Sequence, residues 1–264
     1  FSSATTLHPM NPAAPVTIVQ DLSAIFRIAF RGSPYHPRRR RFKRQSRPGR
    51  PPFSLPPRRQ LDHRNKNMNL LAHLHLSEGR PAAVAAGNLL ADYLRRFGAG
   101  IPDAGFAEGV RLHRAIDAFA EAHPRHRAAR ACLSPARRRL GGIIVDVACD
   151  FFLSRDWPRY SPLPLRTFVA DRLAAIQRYL HGFADSPLRV LIDRAIAEEW
   201  LLAYGTPEGL RLTFSRIARR APAAAALRGA EEEILHQQEP LRAAYADFYP
   251  ALLARFAPPG HYHL

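Results

Sequence analysis

Ser134-Pro135, Ser186-Pro187 and Thr206-Pro207 each set a hydroxyl directly before a proline at the head of an apolar-periodic segment. A Ser or Thr side chain can accept from an otherwise orphaned N–H of the first helical turn, and proline at the first helical position forfeits a donor that has no partner there anyway. Punctuation of this kind at helix-length intervals leaves little room for anything but helices. Asp103 can cap a further segment, Pro158, Pro162 and Pro164 interrupt the chain between two others, and no hairpin signal occurs. The pattern predicts helices near 81–97, 103–122, 135–156, 165–183, 187–203, 207–220 and 223–256, the last bent at Pro240. Helices of this length on short connections predict an all-α fold, a single compact helical bundle over 68–257 with 258–264 as a loose end. No repeat of solenoid length is visible.

The formal net charge is +17 over 264 residues, which invites a nucleic-acid reading. Residues 1–67, however, hold 14 Lys and Arg against 2 Asp and Glu, so the remainder carries only 25 against 20. The basicity belongs to an N-terminal stretch, HPRRRRFKRQSRPGRPPFSLPPRRQ (36–60), rich in Arg and Pro and without period, which predicts a disordered extension over 1–67. We read it as a dispensable extension in preference to a nucleic-acid or membrane arm, and LSAIFRIAFR (22–31) offers only weak support for a targeting peptide. Cys132 and Cys149 stand in no zinc-ligand spacing, which fits a reducing, cytoplasmic compartment. No apolar run approaches the ~20 residues of a membrane span.

The apolar run IIVDVACDFFLSR (143–155) contains Asp146 and Asp150, four apart and so one turn apart on one helix face. Buried carboxylates need a compensating partner, proton or metal. The same spacing recurs as Asn88 and Asp92 in GNLLADYL and as His113 and Asp117 in VRLHRAIDAF. Singly, each pair reads better as a local hydrogen bond or a helix edge; three of them in one bundle shift the balance to a shared site. MNLLAHLHL (68–76) adds His73 and His75, of which at most one can face that site. Imidazole and carboxylate without thiolate suit Mn²⁺, Fe²⁺, Mg²⁺ or Zn²⁺, ions that acidify water and serve hydrolysis.

MNLLAHLHL, GNLLADYL, HRAID and DVACDFFLSRDW, in this order from Met68 to about 257, resemble the bacterial acyl carrier protein phosphodiesterase family, a divergent HD phosphohydrolase group. The resemblance implies an HD-domain-like helical fold, a divalent cation (Mn²⁺ first, Mg²⁺ or Fe²⁺ otherwise), and hydrolysis of 4′-phosphopantetheine from holo-acyl carrier protein, its protein substrate. It implies His73, His113, Asp117, Asp146 and Asp150 as metal ligands, Asp92, Asp117 and Asp150 as catalytic carboxylates, and Asn88 beside them as a substrate-binding residue. Some relatives read Asp-His where this chain has Asp150-Phe151, so His123 is an alternative donor. Arg114 and Arg155, adjoining the motifs, are candidates to neutralise the phosphate oxygens.

Acyl carrier proteins are strongly acidic, and HPRHRAARACLSPARRR (123–139) concentrates Arg125, Arg127, Arg130, Arg137, Arg138 and Arg139 as the expected docking surface. Two other readings stand beside this one: a phosphohydrolase of similar fold acting on nucleotides or small phosphodiesters, and a non-enzymatic helical protein whose basic arm binds nucleic acid. Neither nucleic acid nor membrane is expected as a partner of the folded part.

Overall fold

The computed structural model describes residues 70–183, 186–219 and 222–258. The expected N-terminal extension 1–67 and nearly all of the expected loose end lie outside the described residues. Among the described residues there are ten α-helices and no strand: α1 Leu70–His75, α2 Ala82–Phe97, α3 Ala104–Ala122, α4 Pro124–Ala131, α5 Gly141–Arg155, α6 Leu165–His181, α7 Pro187–Ala197, α8 Pro207–Ala218, α9 Ala230–His236 and α10 Gln238–Phe256. None of them is long and apolar enough to cross a membrane.

The central element is α5, whose residues Ile144–Leu153 are all buried. A helix surrounded on every side needs no polar face, which is why its sequence is apolar almost throughout. Against it pack α1, α4, α9 and α10, and its Phe151 and Phe152 join Phe106, Phe168, Phe214, Phe248 and Tyr249 in the core. The two carboxylates of α5 therefore lie in the interior, Asp150 fully buried and Asp146 nearly so.

Several starts agree with the capping argument. The Asp103 carboxylate accepts from Phe106 N at 2.8 Å, Ser186 Oγ from Leu188 N at 3.3 Å, and Thr206 Oγ1 from Gly209 N at 3.1 Å. Three boundaries differ. Ser134 caps no helix: its N–H and hydroxyl both donate to Glu233, so the chain runs through a turn and a short 3₁₀ segment before α5 begins at Gly141. The helix expected over 187–203 stops at Ala197, because Glu199 takes a left-handed backbone (φ 47°) and Trp200 and Leu201 turn inward to be buried. The last expected helix, near 223–256, opens instead as a 3₁₀ segment over Pro222–Leu227, becomes α-helical at Ala230, and is divided at Gln237 rather than bent at Pro240. Pro240 falls in the first turn of α10, where a missing N–H costs nothing, while Pro250 is the proline inside that helix. Helices α1 and α4 were not among those expected; His123 precedes α4 and accepts from Arg125 N through Nδ1 at 3.3 Å.

Helices α2 and α3 touch backbone to backbone where they cross. A methyl group on Gly87 would stand 2.1 Å from the Phe106 carbonyl oxygen, and one on Gly109 would stand 2.1 Å from that of Val84. Glycine at both positions permits this approach. It carries His113, one turn beyond Gly109, up against the main chain of Asn88, one residue beyond Gly87.

Candidate metal centre

Asp150 positions α1. Its two carboxylate oxygens accept from Leu71 N at 3.0 Å and Ala72 N at 2.9 Å, two of the amides a helix start leaves without a partner. Burial pushes the Asp150 carboxyl up to about 8, against the two amides that pull it down, with the nearby Asp146 charge adding to the rise. The helix thus held presents His73 on one side and His75 on the other. His75 Nδ1 meets the Tyr249 hydroxyl at 2.6 Å among Trp157 and Phe168, and burial drives its pKa down to about 3, so it is a neutral core residue.

His73 faces the polar pairs of α2 and α3. Its ring stacks on that of His113, with centroids 4.3 Å apart. His73 Nε2 lies 3.4 Å from Asp117 Oδ1, and His113 Nε2 lies 3.4 Å from both Asp92 Oδ1 and Asp117 Oδ2. One ligand atom from each of His73, His113 and Asp117 falls within 4.8 Å of the others, close enough to hold one cation between them. Both Nε2 atoms and Asp92 Oδ2 are buried without a hydrogen-bond partner. Such groups in a native interior call for an explanation, and an ion bound between them supplies one. Burial lowers the pKa of His113, but Asp92, Asp117 and the Asn88 carbonyl outweigh it and hold the group above the ordinary histidine value. Asp117, with 32 % of its side chain exposed, opens the pocket to solvent.

Asn88, expected among the substrate-binding residues, is fully buried, and its polar groups are engaged by His73, Ser77 and His113. It has no face to offer a substrate. Asp146 and Asp150, expected at the metal, are spent elsewhere: Asp150 on the α1 amides and Asp146 on His126 Nε2 at 2.9 Å. Their common helix face looks inward, but two different elements, α1 and α4, meet it one turn apart. His123, the alternative donor, lies between the rings of Phe119 and Phe248, tilted against both, and caps α4. Arg114 is exposed immediately after His113; Arg155 is exposed at the end of α5, its guanidinium 5.3 Å from the Phe151 ring centroid.

Two participants were missed by sequence reasoning. Ser77 stands four residues after His73, a spacing that could have been noticed. His126 gave no signal, since its partner Asp146 lies 20 residues away.

The sequence model of the family described as acyl carrier protein phosphodiesterase matches residues 68–252. Proteins named acyl carrier protein phosphodiesterase from Salmonella dublin, Salmonella agona and Salmonella newport are each 35% identical over 193 residues, covering 72% of this chain and 98% of the relative. No solved structure matches the chain.

Proposed function

The chain belongs to the acyl carrier protein phosphodiesterase family, and we propose that its His73–His113–Asp117 pocket hydrolyses the phosphodiester joining 4′-phosphopantetheine to a serine of holo-acyl carrier protein. The carrying observation is the convergence of two buried imidazole Nε2 atoms and the carboxylates of Asp92 and Asp117 with no hydrogen bond to satisfy the nitrogens. The donor set fits a divalent cation, Mn²⁺ first and Mg²⁺ or Fe²⁺ otherwise, held by His73, His113 and Asp117 with Asp92 beside them. Such an ion supplies Lewis-acid polarisation of the phosphoryl group and a lower pKa for water.

The chain's own groups do the rest. Asp92 Oδ2, buried at the pocket, accepts the proton of the attacking water. The water oxygen bonds to phosphorus, the bond from phosphorus to the serine oxygen breaks, and a proton ends on that oxygen; apo-carrier protein and 4′-phosphopantetheine leave. The phosphodiester enters over Asp117, the least buried member of the cluster. Arg114, exposed one residue after His113 in the chain, and Arg155 are the candidates to neutralise its non-bridging oxygens. Asp146 and Asp150 act from behind, through α4 and α1, and not on the substrate.

Incubating the full chain with holo-acyl carrier protein and Mn²⁺, and weighing the carrier before and after by mass spectrometry, tests the reaction. The expected result is loss of the 4′-phosphopantetheine mass, prevented by chelator. A carrier unchanged in mass after exposure to folded, Mn²⁺-loaded enzyme would overturn the reading.

The basic stretch folds as α4 and the turn that follows, and it supports docking of an acidic carrier. Arg127, Arg138 and Arg139 are exposed. Arg125 is paired with Asp247 at 2.7 Å, whereas Arg137 and Arg138 donate to the main-chain carbonyls of Arg228 and Leu133 and so keep their charge unneutralised by those contacts. Arg130 is half-buried and marks the inner edge of the patch. Replacing Arg127, Arg138 and Arg139 by glutamate is expected to raise KM for the holo-carrier at least about tenfold, with the effect shrinking as salt is added. Hydrolysis of bis(p-nitrophenyl) phosphate is expected to stay near the wild-type rate. Equal losses on both substrates would remove the docking assignment.

A further inference from the structure

We propose that Asn88 is the positioning residue that fixes both imidazoles in the one tautomer able to bind a cation. It does so through two different arms, a side-chain amide for His73 and a main-chain carbonyl for His113. The inference rests on the reading of the pocket as a metal centre.

The proton positions follow from the hydrogen-bond partners. The Ser77 hydroxyl donates to the His73 carbonyl at 2.8 Å, which spends its single hydrogen. Toward Asn88, 2.8 Å away, Ser77 Oγ is therefore an acceptor, and the amide atom facing it must be the nitrogen. The same Nδ2 donates to the His73 carbonyl at 2.8 Å. Turning the amide over would set its oxygen against that carbonyl, acceptor against acceptor, in a region where Asn88, Ser77 and His73 are all buried.

The orientation is thereby fixed, and Asn88 Oδ1 faces His73 Nδ1 at 2.9 Å. An amide oxygen only accepts, so Nδ1 of His73 carries the hydrogen and Nε2 is left as a lone pair at the cluster. His113 Nδ1 lies 2.8 Å from the Asn88 main-chain oxygen, again acceptor-only, and at neutral charge its Nε2 is likewise a lone pair. Metal-bound histidines depend on such a partner for their second ring nitrogen. Here one residue serves two rings, and the close Gly87–Gly109 crossing is what brings the second within reach.

The two arms respond differently to mutation. Asn88→Ala removes the amide and leaves the carbonyl, so it frees His73 and leaves His113 held. Asn88→Asp keeps an oxygen for His73 Nδ1 while losing both amide donors. A residue that merely filled space would show no such distinction.

The test uses the metal-free full chain above the titration range of both rings, with imidazole tautomers read from long-range ¹H–¹⁵N NMR spectra assigned through His73→Gln and His113→Gln. Both rings of the wild type are expected to carry the hydrogen on Nδ1. In Asn88→Ala, His73 alone is expected to move toward the Nε2–H form, and Mn²⁺ affinity measured by calorimetry is expected to fall about 10- to 100-fold. In Asn88→Asp, His73 is expected to keep its Nδ1–H form. Should Asn88→Ala not fold, the wild-type spectrum and Asn88→Asp decide the matter. An Nε2–H form of either ring in the wild type, or a change in both rings or in neither on removing the amide, would overturn the proposal. The spectra involve no phosphodiester, so a failure of the hydrolytic reading appears in the carrier-mass assay and a failure of this one appears here.

Discussion

Replacing Asp117 by alanine is expected to cut kcat/KM for holo-acyl carrier protein on the order of 10³-fold while leaving the metal-free protein folded. Asp117 stands 3.4 Å from both His73 Nε2 and His113 Nε2, so it is the carboxylate that ties the two rings into one cluster. Lewis-acid stabilisation of a phosphoryl transition state is worth several kcal/mol, and each ~1.4 kcal/mol is a factor of ten in rate. The side chain is 32 % exposed, so its loss leaves no deep cavity, and the thermal midpoint of the metal-free variant should lie within about 3 °C of the wild type. Linkage gives a second readout. Saturating Mn²⁺ at about 100 times its Kd should stabilise the wild type by about 2.7 kcal/mol, an increment the variant should lack. Wild-type turnover in Asp117→Ala, or an equal Mn²⁺-induced rise in its melting temperature, would remove Asp117 from the centre.

Asp150→Ala is expected to lose both stability and turnover. Its carboxylate is fully buried and takes the amides of Leu71 and Ala72, so alanine strands two buried donors at the start of α1, at a cost of roughly 2–4 kcal/mol. Turnover falls because α1 carries His73, and a frayed start misplaces that ring. Denaturant unfolding and the carrier-mass assay on the same preparation separate this outcome from that of Asp117→Ala, which loses turnover alone. Unchanged stability in Asp150→Ala would deny the anchoring role.

The pH dependence of Asp150 has a definite sign. Its folded-state pKa of about 8 lies above the ordinary 3.8, so the native state holds a proton that the unfolded chain releases. The favourable contribution is complete below the ordinary value and is lost as pH rises through the folded one. Asp150→Asn cannot titrate, so the wild type should lose stability relative to it between about pH 4 and pH 8. Parallel stability curves for the two proteins would contradict the raised pKa.

Much of the site was legible as spacing. His113 and Asp117 share a helix face, and Asn88 and Asp92 share another; both pairs come together with His73, as helical periodicity allows. The division of labour among the carboxylates was not legible. Asp146 and Asp150 have the same one-turn spacing and the same apolar surroundings as the residues of the cluster, yet they meet His126 and the α1 amides. Asn88 looked like a substrate contact because it stood beside the motifs, and only its burial shows that it serves other protein groups.

The sequence by itself determined that the chain is helical, where most of the longer helices run and which of their faces carry polar groups, but not every helix or boundary. Capping, proline placement and a period of 3.6 act within a few residues, and every term in that argument is local. It also determined that several buried carboxylates and imidazoles needed partners. Which partner each one found was decided by tertiary structure. The close crossing at Gly87 and Gly109, the burial of α5 on all sides and the docking of α1 on Asp150 bring together groups as far apart in sequence as Leu71 and Asp150. Spacing along a helix fixes direction but not the element that lies opposite, and a ligand, an anchor and a cap differ only in what lies opposite.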